Sequence, residues 1–167
     1  MKSFLPFLLV TVVLFSCKPK DTNRNAIIET LEQYEDLQKI IDGEADGVLV
    51  LNFWSIHCPP CIKELPHFNT LENEYQNKQV RVLLINLDFI KKLDPGLYPF
   101  VKKHAIKQEI MILKDQNYTK WTEHVDPDWY GALPATLMIK GDKRHFRFGS
   151  YEQYADLKKD LDSLISQ

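Results

Sequence analysis

Cys58 and Cys61 stand three residues apart in the stretch Asn52-Phe53-Trp54-Ser55-Ile56-His57-Cys58-Pro59-Pro60-Cys61. Two thiols at that spacing can exchange electrons as a dithiol and disulfide, or they can supply two ligands of a zinc site. For exchange, the first thiolate attacks a substrate disulfide and the second thiol resolves the mixed disulfide. A structural zinc site needs about four ligands, usually with a second C-x-x-C or an H-x-x-x-H. The third cysteine, Cys17, lies near the N-terminus, and the histidines are isolated at 57, 67, 104, 124 and 145. The dithiol is therefore the expected chemistry, with no metal and no other cofactor.

Such a pair must be held at the end of a strand and the start of a helix, where helix-terminal amides favour a thiolate. The flanking sequence has that form. Val48 to Trp54 is nearly continuous apolar, as in a parallel strand buried on both faces. Ile62, Leu65, Phe68, Leu71 and Tyr75 then recur at helical spacing. Elsewhere, Ala26–Leu31 is a candidate first strand, Glu32–Ile41 a helix, Val80–Leu87 a second buried strand, Tyr98–His104 a helix and Ile110–Leu113 a short strand. Ala135–Ile139 and His145–Phe148 flank Gly141-Asp142 as a hairpin. Leu157, Leu161, Leu164 and Ile165 mark a final amphipathic helix. The order β-α-β-α-β-α-β-β-α predicts an α/β domain whose mixed sheet carries helices on both faces.

The chain has 167 residues, which favours one domain. Its formal charge of −2, with lysines and arginines scattered, gives no basic field for nucleic acid. There is no G-x-G-x-x-G, no G-x-x-x-x-G-K-[ST] and no H-E-x-x-H. Ser55 stands three before Cys58, as in a peroxidatic motif, but Leu51 occupies the place where that motif needs Pro. Asn117-Tyr118-Thr119 is a sequon by spelling only. Asp126-Pro127-Asp128-Trp129 reads as a turn, or else as acid and aromatic surface beside a groove.

The N-terminus is a targeting segment. Lys2 precedes an apolar run from Phe4 to Phe15, too short for a comfortable membrane span. Leu14-Phe15-Ser16-Cys17 resembles a bacterial lipobox, with Phe15 bulkier than the pattern usually has. That resemblance implies a signal peptide over 1–16, lipid on Cys17, a tether over 17–25 and a folded domain over 26–167.

The chain resembles the thioredoxin superfamily, in particular its membrane-tethered TlpA/ResA-like branch. LVLNFWSIHCPPC is similar to that branch's strand and active-site motif. Pro66, in Ile62-Lys63-Glu64-Leu65-Pro66, matches the proline that kinks the active-site helix; the other reading is a helix that ends there. Pro134, in Gly131-Ala132-Leu133-Pro134-Ala135-Thr136-Leu137, matches the cis-proline loop. The resemblance implies a thioredoxin fold, with Cys58 as nucleophile, Cys61 as resolving thiol and Pro134 in the loop that positions substrate. Asn52 replaces the common buried acid, and Glu64 fits the branch's own glutamate, read as a buried proton acceptor for Cys61 or as an exposed helix carboxylate. His57 replaces the usual Trp; it is read as a surface imidazole, or as a charge supporting the Cys58 thiolate. The function implied is reduction of disulfides in exported proteins at the bacterial cell envelope, facing the periplasm. The implied partners are exported thiol proteins, those of cytochrome c assembly among them, and a membrane electron donor. The other reading is a copper or thiol-protein binding module of the same fold.

Overall fold

A computed structural model describes residues 26–44, 47–75, 79–89 and 96–166. The leader, Cys17 and the tether lie outside the described residues. The elements run β1 (Ile28–Leu31), α1 (Tyr34–Gly43), β2 (Val48–Trp54), α2 (Pro59–Tyr75), β3 (Val80–Asn86), α3 (Leu97–Lys103), β4 (Glu109–Leu113), α4 (Tyr118–Val125), β5 (Ala135–Lys140), β6 (Lys143–Phe148) and α5 (Tyr154–Ile165). Six strands form one sheet in the order β1-β4-β3-β2-β5-β6. The pairs β1–β4, β4–β3 and β3–β2 are parallel, while β2–β5 and β5–β6 are antiparallel.

The apolar run of β2 exists because both of its faces are covered. Side chains alternate across a strand, so Val48, Val50 and Trp54 enter one core and Leu49, Leu51 and Phe53 enter the other. The first core is closed by Leu65, Phe68, Leu71 and Tyr75 of α2, Leu97 and Val101 of α3, and Leu157, Leu161 and Leu164 of α5. The second is closed by Tyr34, Leu37 and Ile41 of α1 and Trp121 and Val125 of α4. β2 is thus an interior strand of a sandwiched sheet, and it ends where the cysteine turn begins.

The sequence pattern omits one helix. α4 lies between β4 and β5, where periodicity alone gave no element. Its buried residues are Trp121, Thr122 and Val125, an aromatic and two β-branched types that favour strands as readily as helices. The segment that follows is a turn: Asp126 accepts from the backbone N–H of Asp128 at 3.0 Å through Oδ1 and of Trp129 at 3.0 Å through its carbonyl. Trp129 is core rather than groove surface, packed on Phe53 and Phe146, with its indole N–H on the Ala132 carbonyl at 2.8 Å.

α2 does not stop at Pro66; the helix continues to Tyr75. Pro66 is exposed, so the carbonyl that loses its intrahelical partner four residues back lies on the watered side of the helix. The β5–β6 hairpin turns at Gly141, whose φ of 56° is one that glycine adopts without steric cost. Among the described residues, no helix is long and apolar enough to cross a membrane.

Candidate dithiol active site

The strand β2 ends at Trp54, Ser55–His57 form a turn, and α2 opens on Pro59. Cys58 occupies the position before the first helical residue, its carbonyl accepting the N–H of Ile62 at 3.1 Å. Prolines suit the two positions that follow, because amides in the first turn have no intrahelical partner to lose. Cys58 and Cys61 are joined by a disulfide, with Cα atoms 5.3 Å apart. Cys58 is half-buried and Cys61 fully buried. The outer sulfur is therefore the one an approaching protein meets. The backbone N–H of Cys61 points at Cys58 Sγ, at 3.3 Å.

Pro134 reaches the same place from the neighbouring strand β5. The antiparallel register pairs Phe53 with Ala135, which sets Pro134 one step beyond, at the end of β2 that leads to Cys58. Pro134 is buried, and the Leu133–Pro134 peptide bond is cis. Its carbonyl accepts the N–H of Gly149 at 3.0 Å. Gly131, at φ 88°, provides the backbone bend that brings the chain from Trp129 into this loop.

Glu64 lies one helical turn after Cys61, on the same face of α2. It is fully buried, so the exposed-carboxylate reading does not hold. Oε1 accepts from Asn52 Nδ2 at 2.8 Å, and Oε2 from the backbone N–H of Tyr151 at 2.7 Å. Burial pushes its pKa up to about 7, against the pull of those two hydrogen bonds and of Arg147. Asn52 Nδ2 also lies 3.1 Å from Thr136 Oγ1 on β5. His57 is exposed, and its backbone N–H donates to Ser55 Oγ at 3.0 Å.

Sequence reasoning missed Asp88. This carboxylate is 6% exposed and accepts from Ser55 Oγ at 2.5 Å, the Ile56 N–H at 2.9 Å and Asn86 Nδ2 at 2.7 Å. The signal was present: Asn86 and Asp88 break an otherwise apolar run at the end of a buried strand, where a polar residue needs a partner. The four residues singled out as a site, Cys58, Cys61, Glu64 and Pro134, converge at the end of β2. Cys17 lies outside the described residues.

The model of the AhpC/TSA family matches residues 25–144. The chain belongs to the AhpC/TSA family. Within reach of this family member is the thiol-disulfide oxidoreductase ResA of Halalkalibacterium halodurans, 32% identical over 119 residues, or 69% of this chain and 58% of that one. ResA of Bacillus anthracis is 30% identical over 118 residues, covering 71% of this chain and 61% of its own. The AhpC/TSA chain described here thus spans about three fifths of the length of these curated relatives. Among solved structures, the thioredoxin-related protein from Neisseria meningitidis serogroup B superposes with a TM-score of 0.62 at 20% identity, covering 76% of this chain and 91% of that one. StoA from Bacillus subtilis superposes with a TM-score of 0.53 at 20% identity, covering 70% and 84%. These superpositions establish the thioredoxin fold for this AhpC/TSA-family chain.

Proposed function

We propose that this chain is an extracytoplasmic thiol-disulfide oxidoreductase that reduces disulfides of exported proteins. The observation that carries the reading is the Cys58–Cys61 disulfide at the start of α2, outer sulfur accessible and inner sulfur buried, with Glu64 one turn behind it. The ResA relatives bear the name of the same activity.

In the reduced protein, the Cys58 thiolate attacks one sulfur of a substrate disulfide. That bond breaks, an intermolecular disulfide forms and one substrate thiolate leaves. Cys61 then passes its proton to the Glu64 carboxylate and attacks the Cys58 sulfur. The mixed disulfide breaks, the substrate leaves with two added electrons, and the Cys58–Cys61 disulfide closes. A dithiol donor at the membrane returns the two electrons. Glu64 suits the second step because a carboxyl near pKa 7 takes a proton and gives it up at neutral pH. Pro134 offers no N–H beside the sulfurs, which leaves the neighbouring backbone free to pair with an extended substrate segment. Residues 1–16 act as the leader, 17–25 as the tether and Cys17 as the lipid attachment site, so the domain works at the cell envelope on the periplasmic side. Thiol proteins of cytochrome c assembly are substrates of the right class.

The direction is reductive. Prolines at 59 and 60 remove two amides that would otherwise support the Cys58 thiolate, and His57 is exposed to water. Equilibrating the protein with glutathione tests this. A potential more negative than about −195 mV, midway between thioredoxin and DsbA, supports it; a value near −120 mV overturns it.

A further inference from the structure

Three backbone N–H groups precede the dithiol outside any helix, those of Ile56, His57 and Cys58. They are the amides nearest in sequence that a reduced Cys58 sulfur could recruit. Each is already committed. Ile56 N–H donates to Asp88 Oδ2 at 2.9 Å, His57 N–H to Ser55 Oγ at 3.0 Å and Cys58 N–H to the Ser55 carbonyl at 3.2 Å. Pro59 and Pro60 have no N–H to give. Among the described residues, the backbone donor left to Cys58 Sγ is that of Cys61, at 3.3 Å.

Asp88 organises this arrangement. An ionised carboxylate only accepts, so the Ser55 hydroxyl must donate to it, at 2.5 Å. That fixes the Ser55 proton on the Asp88 side and turns the remaining lone pairs of Oγ toward the His57 N–H. The second carboxylate oxygen holds the Ile56 N–H and Asn86 Nδ2 together. α4 braces the strand end that carries Asp88, because the Tyr118 hydroxyl donates to the Leu87 carbonyl at 3.3 Å.

We propose that Asp88, acting through Ser55, is a positioning residue that withholds amide donors from the Cys58 sulfur and so keeps the dithiol a reductant. The inference rests on the dithiol function above. A thiolate gains stability from each donor and loses it to nearby negative charge. A better-held thiolate favours the reduced form and makes the couple more oxidising. The clamp acts against the thiolate by occupying two of these donors, the Ile56 N–H directly and the His57 N–H through Ser55.

The test compares Asp88→Asn, Ser55→Ala and Ser55→Thr with wild type in the full chain. Two quantities are read: the equilibrium constant against glutathione, and the pH midpoint of iodoacetamide alkylation measured on the Cys58 peptide of the reduced protein. Asp88→Asn and Ser55→Ala are expected to move the equilibrium toward reduced protein by about threefold or more and to lower the midpoint by about half a pH unit. Ser55→Thr, which keeps the hydroxyl, stays at wild type. Wild-type values in both Asp88→Asn and Ser55→Ala, or a shift toward the oxidised form, overturn the proposal. Should Asp88→Asn fail to fold, Ser55→Ala decides alone. A wild-type dithiol that never equilibrates with glutathione counts against the oxidoreductase reading instead, and the alkylation midpoints still decide the clamp.

Discussion

Glu64 Oε2 accepts the backbone N–H of Tyr151 at 2.7 Å, tying α2 to the connection between β6 and α5 across 87 residues of sequence. Two residues earlier in that connection, Gly149 donates to the Pro134 carbonyl at 3.0 Å. The carboxyl that sits behind Cys61 is therefore held by the same short segment that holds the Pro134 loop.

That carboxyl sets a pH dependence whose sign is fixed. Its folded pKa is about 7 against an ordinary value of 4.5, so the folded state binds the proton more tightly than the unfolded state does. The contribution of this one group to stability is then greatest at low pH and falls as pH rises from about 4.5 through about 7, by on the order of 3 kcal/mol in all. Glu64→Gln should flatten this slope in urea titrations at several pH values. In turnover, resolution of the mixed disulfide should speed up as pH rises through about 7, and Glu64→Gln should slow it about 100-fold and abolish the pH dependence. Single-turnover kinetics across pH 5.5 to 8.5 would show an unchanged profile if Glu64 had no part in the proton transfer.

The two cysteines should fail differently. Cys58→Ser removes the attacking sulfur, and insulin reduction with dithiothreitol should drop to the uncatalysed rate. Cys61→Ser still attacks but cannot release its substrate, so mixed disulfides should accumulate on non-reducing gels. Captured partners in the second variant would identify the substrate. Equal behaviour of the two variants contradicts the assignment of roles.

β2 and the cysteine turn were legible in the sequence because they depend on local information. An unbroken apolar run needs two covered faces, and a C-P-P-C after it needs a helix start. The burial of Glu64 was not legible, because it depends on Asn52, 12 residues away, and on Tyr151, 87 residues away. Asp88 was missed for the same reason: its partners Ser55 and Ile56 lie 33 and 32 residues earlier. α4 was missed for another reason. Its eight residues are too few for a strong period, and its core side chains are aromatic or β-branched. Pro66 was ambiguous because a proline both ends helices and survives within them when its side of the helix faces water.

The helix that local pattern hid is nonetheless a structural anchor. Trp121 stacks on Tyr34 with ring centroids 5.4 Å apart, lies against Phe53 and Trp129, and donates its indole N–H to the Asp115 carbonyl at 3.2 Å. Trp121→Ala should cost about 3–5 kcal/mol. Urea unfolding of the variant measures this directly, and a loss below about 1 kcal/mol would show that α4 contributes little to the core.

Anchoring through Cys17 is tested outside the folded domain. A diacylglycerol thioether supplies two acyl chains, enough for stable attachment. Cys17→Ala should move the processed protein from the membrane fraction to the soluble fraction, or leave it unprocessed. A variant that is cleaved yet still sediments with membranes would remove the lipid assignment.

β2 has sheet neighbours on both sides, β3 and β5, and every one of its residues is buried. Its amides are expected to be among the slowest in the domain to exchange with solvent. The reactive sulfur thus follows, after a three-residue turn, the most deeply buried strand of the sheet. Heat or denaturant should leave the seat of the cysteine turn intact until the domain melts, so catalysed turnover and folding should be lost together, in a single transition.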